Sequence, residues 1–125
     1  MSKESCKRIL LVDDEDDLLV VMKDCLQRAG FSVEVHRDSA SALENYVPGR
    51  YDLVVTDIRM PKMSGLGLYQ KIKSIDPQAR IVFMSAGEAP PVELSPVCGP
   101  DRAAIIYKPI GMKEFLLQVK KLSGS

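Results

Sequence analysis

Five times along this chain a short apolar run is followed by a polar break, and all but once by apolar residues at helical spacing. That rhythm constrains the fold strongly, because strands alternating with crossover helices pair in parallel and need a helix layer on each face. The first run, Ile9 to Val12, is continuously apolar, as a strand buried on both faces must be. Leu18, Leu19, Met22, Leu26 and Ala29 then recur at helical spacing before Gly30, a residue type that ends helices. Phe31 to Val35 reads as the second strand, Asp38 or Ser39 as the cap of a helix to about Tyr46, and Pro48-Gly49 as its break. Leu53 to Thr56 is the third strand, and Ser64 caps a helix carrying Leu66, Leu68, Tyr69 and Ile72 that stops at the Asp76-Pro77 turn. Ile81 to Met84 and Ala103 to Tyr107 supply the last two strands; Met112, Phe115, Leu116, Val119 and Leu122 form the stripe of a closing helix. Glu88 to Pro100 interrupts the pattern with four of the eight prolines within eleven residues, which leaves room for a turn or two of helix at most.

The expected architecture is therefore α/β: a three-layer (βα)5 domain with a parallel five-stranded sheet in the flavodoxin-like order 2-1-3-4-5 and a short or disrupted fourth helix. A length of 125 residues suits one domain over residues 1–125. Seventeen Lys and Arg balance seventeen Asp and Glu, so there is no overall positive field for a phosphate backbone, and no direct nucleic-acid binding is expected. Cys6, Cys25 and Cys98 form no Cys-x-x-Cys pair, which argues against a disulfide framework and a zinc site. The apolar run before the acidic block that starts at Asp13 is only four residues, Ile9 to Val12, too short for a signal-peptide core or a membrane span, so a cytoplasmic protein is expected.

Asp13, Asp14, Glu15, Asp16 and Asp17 follow the first strand directly. Taken alone they read as a solvated helix start, where acids complement the dipole. Asp57 ends the third strand, Ser85 the fourth and Lys108 the fifth, and each alone is an ordinary turn or surface residue. Together they mean more, since ligands of an open parallel sheet bind outside the carboxyl ends of the strands where strand order reverses. The order 2-1-3-4-5 puts Asp13 and Asp14 beside Asp57 at that point, with Ser85 and Lys108 on the same rim. Three carboxylates so placed repel one another unless a cation intervenes, and an all-oxygen set without clustered His or Cys selects a hard ion, Mg2+ above all.

The segments Leu11-Val12-Asp13-Asp14-Glu15, Asp57-Ile58-Arg59-Met60-Pro61, Met84-Ser85-Ala86-Gly87 and Tyr107-Lys108-Pro109 resemble the receiver domain of two-component response regulators. The resemblance covers nearly the whole chain, and the separations of 43, 28 and 23 residues between Asp14, Asp57, Ser85 and Lys108 agree with it. It implies a phosphoacceptor signalling switch that catalyses only its own phosphotransfer and dephosphorylation. Asp57 would take a phosphoryl group from a sensor histidine kinase or phosphotransfer protein, altering the binding of a downstream protein target. Asp13, Asp14, Asp57 and the backbone carbonyl of Arg59 would hold Mg2+; Lys108 would pair with the phosphoryl oxygens and Ser85 hydrogen-bond one of them. It also implies that the Lys108-Pro109 bond is often cis. The chemistry agrees with those roles: phosphoryl transfer asks mainly for positioning and positive charge, and an ionised carboxylate needs no general base, which leaves His36 a structural or exposed residue. Gly65 and Ala86 allow close approach near the site or serve packing.

The chain departs from the family in two places. Ile105 stands where receivers commonly carry a switch aromatic, with Tyr107 one rung closer to the site, and the proline-rich stretch falls on the fourth helix. These departures motivate the alternative reading, an interaction module that works without phosphorylation. A flavodoxin-like FMN protein would need glycine and hydroxyl donors after the first strand, where this chain has five acids, and Gly65-Leu66-Gly67 lacks the third glycine of a dinucleotide fingerprint.

Overall fold

The computed structural model describes residues 7–85, 104–107 and 111–123. Five parallel strands, β1 (Arg8–Val12), β2 (Ser32–His36), β3 (Leu53–Asp57), β4 (Ile81–Ser85) and β5 (Ala104–Tyr107), form one sheet in the order β2-β1-β3-β4-β5. The helices are α1 (Asp16–Arg28), α2 (Ser39–Glu44), α3 (Gly65–Ile75) and α4 (Met112–Leu122), the last being the closing helix of the sequence pattern. The proline-rich stretch Glu88 to Pro100, Lys108 with its bond to Pro109, Ala86, Cys6 and Cys98 lie outside the described residues. Cys25, partly buried on α1, is a free thiol whose Sγ lies 3.7 Å from the carbonyl oxygen of Met112.

Strand alternation divides the core into two layers. Leu10, Val12, Val54 and Phe83 face α2 and α3, packing with Ala42, Tyr46, Leu68 and Ile72. Ile9, Leu11, Val55 and Met84 face α1 and α4, packing with Met22, Leu26, Phe115 and Val119. β3 and β4 are buried along their whole lengths, as their unbroken apolar runs require.

The boundaries differ from the sequence reading where local hydrogen bonding overrides the apolar pattern. Phe31 is not in a strand. Its N–H bonds the Leu26 carbonyl at 3.0 Å, and that of Gly30 (φ +100°) bonds Gln27 at 3.0 Å. This is a Schellman closure of α1 in which Phe31 packs on Leu26. α2 stops at Glu44 rather than Tyr46, because the Tyr46 N–H bonds back to Leu43 while its ring turns into the core. β3 and β4 each run one residue further, so that Asp57 and Ser85 still belong to the ladder.

Candidate functional site

The carboxyl ends of β1 and β3 are adjacent, and there Asp13, Asp14 and Asp57 each bring one carboxylate oxygen into a group whose members all lie within 4.8 Å of one another. Asp13 is 1% exposed and Asp57 9%, while Asp14 is open to solvent. Asp13 is set by its backbone: its N–H donates to the His36 carbonyl at 3.2 Å, and its Oδ1 accepts the N–H of Glu15, the α1 cap, at 2.9 Å. That turn aims the carboxylate back over the strand tip as the helix departs.

Asp57 is held from behind. The Thr56 hydroxyl donates to the Asp57 carbonyl at 3.0 Å, and the Ile58 N–H donates to the Met84 carbonyl at 3.1 Å. The loop from β3 to α3 then tightens into a γ-turn: the Met63 N–H bonds the Pro61 carbonyl at 2.8 Å across Lys62, whose φ is +70°. Gly65 closes it, donating its N–H to Ile58 at 2.9 Å. A Cβ on Gly65 would overlap the Asp57 carbonyl oxygen and press on the Ile58 Cα at 3.1 Å. The close approach expected of this glycine is therefore required. Ser64 caps α3, its Oγ accepting the Gly67 N–H at 3.2 Å.

Ser85, 1% exposed, ends β4 in register with Tyr107 and so reaches the same rim. Arg59 lies two residues beyond Asp57 in the loop, with its side chain exposed. Lys108 follows β5 outside the described residues, as do the side chains of Tyr107 and Ala104. Ile105, in the place of the expected aromatic, packs half-buried against the layer under α2 and α3. His36 is structural: its ring nitrogens meet Ser41 Oγ at 2.7 Å and Glu34 Oε2 at 3.0 Å. It sits closer to the rim than the sequence implies, through its backbone carbonyl on Asp13. Arg37 escaped the sequence reading. Its Nε pairs with Asp16 at 2.8 Å, offsetting one of the five acids, and the signal was a cation directly after the second strand.

Chemically, the cluster offers only hard oxygen donors at a spacing that one small divalent cation can bridge, which matches the ligand preference of Mg2+. A doubly wound sheet with an acidic switch point defines the class of domain. The family model of the response regulator receiver domain matches residues 9–120, and the chain belongs to that family of two-component signalling proteins. A curated relative, the response regulator receiver protein CpdR of Brucella abortus, is 32% identical over 117 residues, covering 93% of this chain and 96% of CpdR. Among solved structures, the non-phosphorylated HemR receiver domain of Leptospira biflexa is 30% identical with a TM-score of 0.84, covering 95% of each chain. TrrA of Thermotoga maritima, solved in complex with Mg2+ and BeF, is 31% identical with a TM-score of 0.77 over 93% of this chain and 98% of TrrA.

Other relatives are longer: the chain spans 34% of one transcriptional regulator and 25% of a DNA-binding one. The expectation of no direct nucleic-acid binding, drawn from a net charge of zero, therefore does not extend to longer proteins that carry such a domain. No helix among the described residues is long and apolar enough to cross a membrane.

Proposed function

We propose that Asp57 is the phosphoacceptor of this receiver domain, with a phosphohistidine of a sensor kinase or phosphotransfer protein as donor. The observation that carries this reading is the convergence of the Asp13, Asp14 and Asp57 carboxylates within 4.8 Å at the switch point. An Asp57 carboxylate oxygen attacks phosphorus, the bond from phosphorus to the donor imidazole nitrogen breaks, and the departing ring keeps that electron pair. The product is an acyl phosphate on Asp57. A carboxylate ionised at neutral pH needs no base, so the remaining residues have only to position and to neutralise.

Asp13, Asp14, Asp57 and the Arg59 carbonyl hold Mg2+, which supplies, when bound, the positive charge that the equatorial phosphoryl oxygens demand. Ser85 donates its hydroxyl to one of those oxygens. Lys108 pairs with another, a role that rests on the family resemblance. Catalysis is confined to the domain's own phosphotransfer and dephosphorylation, and the readout is altered binding of a downstream protein in the cytoplasm. The test is intact-mass measurement after incubation with Mg2+ and acetyl phosphate. One phosphoryl group is expected on the native chain and none on Asp57→Asn; a modification that survives the substitution overturns the assignment.

A further inference from the structure

At the opposite end of the sheet, the shortness of α2 leaves something uncovered. That helix has six residues, and among the described residues Arg50 and Tyr51 of the segment returning to β3 lie beside the amino half of β2. Arg8 pairs with Ser32 and Leu10 with Glu34, so alternation puts Arg8, Ser32 and Glu34 on the face that α2 fails to reach. Together with Arg50 and Tyr51 they line a cavity of about 330 Å³, the size of a small-molecule site.

The acid in this cavity is already engaged. Glu34 meets His36 Nε2 at 3.0 Å, and although burial pushes its carboxyl up, the hydrogen bond from His36 and the nearby Tyr51 hydroxyl hold it below the usual range. The two cations act on this group at longer range, Arg50 on Glu34 and both on the Tyr51 phenol. Among the described residues neither the Arg8 nor the Arg50 guanidinium has a carboxylate within ion-pair distance. Arg50 lies 6.0 Å from the centre of the Tyr51 ring. The Tyr51 hydroxyl is buried and faces Glu34 without completing a hydrogen bond of full geometry. Two guanidinium forks and the Tyr51 ring, whose centre lies 5.2 Å from that of Tyr46, thus line one polar cavity together with Glu34.

We propose that this groove binds a small aryl carboxylate, its carboxylate held by Arg8 and Arg50 and its ring laid against Tyr51. Guanidinium forks match a carboxylate in charge and planarity, and the tyrosine rewards a flat ring over an aliphatic chain. The reading does not depend on phosphorylation of Asp57.

The test is an amide NMR titration of the whole chain with sodium benzoate, with acetate and benzyl alcohol as the ringless and uncharged probes. Saturable shifts are expected at Arg8, Ser32, Glu34, Arg50 and Tyr51 with benzoate only. Affinity should fall about tenfold in Arg50→Gln and in Arg8→Gln, a loss of one charged hydrogen-bonding group. Arg50→Lys, which keeps the charge and loses the fork, should fall between. Amide shifts elsewhere, and the response of Asp13 and Asp57 to Mg2+, should match the native chain in each variant and so report an intact fold. The proposal is overturned by an absence of saturation, by equal shifts with acetate or benzyl alcohol, by shifts that survive both Gln substitutions, or by shifts confined to the acidic rim.

Discussion

At the carboxyl ends of the strands Asp13, Asp14 and Asp57 bring their oxygens within 4.8 Å of one another, whereas at the amino ends Asp52 and Asp76 stand apart, each bonded to donors from another segment. Asp52 accepts the Arg8 N–H at 2.8 Å; Asp76, 9% exposed, accepts the Tyr46 hydroxyl at 2.7 Å and the Gly49 N–H at 3.1 Å. The same residue type therefore does two jobs. An acid given neutral or backbone donors ties segments together and adds stability. Acids set against one another repel, and a cation placed among them relieves that repulsion.

If that contrast is right, removing an acid has opposite signs at the two ends. Asp76→Ala leaves the Tyr46 hydroxyl and the Gly49 N–H without their acceptor and should lower stability by about 3 kcal/mol in urea unfolding, the penalty for buried groups deprived of partners. A neutral result would break the comparison. Gly65→Ala, which would gain stability in an open helix, should instead lose about 2 kcal/mol, because its methyl group meets the Asp57 backbone. Its phosphoryl acceptance should fall with it. Asp14→Asn should raise stability by about 0.5 kcal/mol in low salt without divalent ions, the scale of an exposed charge interaction. The same substitution should blunt the stabilisation that Mg2+ gives the native chain, since a ligand that binds only the folded state adds stability that grows with its concentration relative to its dissociation constant.

The smallest effect concerns the basic groove. Burial, then the Glu34 carboxylate, pushes the Tyr51 phenol up to about 12. A raised value in the folded state means that its contribution is complete below the ordinary tyrosine value near 10 and is lost as pH rises from about 10 to about 12. Tyr46 is raised in the same direction, by burial and by Asp76, and its contribution likewise declines from about pH 10 upward. Tyr51→Phe should therefore reduce the decline in stability across that window without abolishing it, as read by thermal melts at stepped pH.

The site was easier to read in the sequence than the groove, for a physical reason. Each rim residue stands at the end of a continuously apolar run, and burial on both faces makes such runs conspicuous, so Asp13, Asp57 and Ser85 could be placed before any coordinates. Strand order followed from the alternation. What failed were positions governed by hydrogen bonding at short range. Phe31 looks like a strand residue by composition and is the hydrophobic lid of a helix end; Tyr46 looks helical and is a core residue anchored by Asp76. Arg8, Glu34 and Arg50 escaped notice because their meeting depends on the register of β1 against β2 and on how early α2 stops. The polar alternation Arg8, Ser32, Glu34 was visible, but its partner across the gap was not.

The central claim is that Asp57 sits in a cation-filled acidic pocket built to hold a tetrahedral phosphoryl group. Fluorine NMR of the chain with Mg2+ and beryllofluoride tests it most directly. Slowly exchanging bound resonances are expected that require Mg2+, weaken in Asp13→Asn and disappear in Asp57→Asn. No bound signal in the native chain, or an undiminished one in Asp57→Asn, would contradict it.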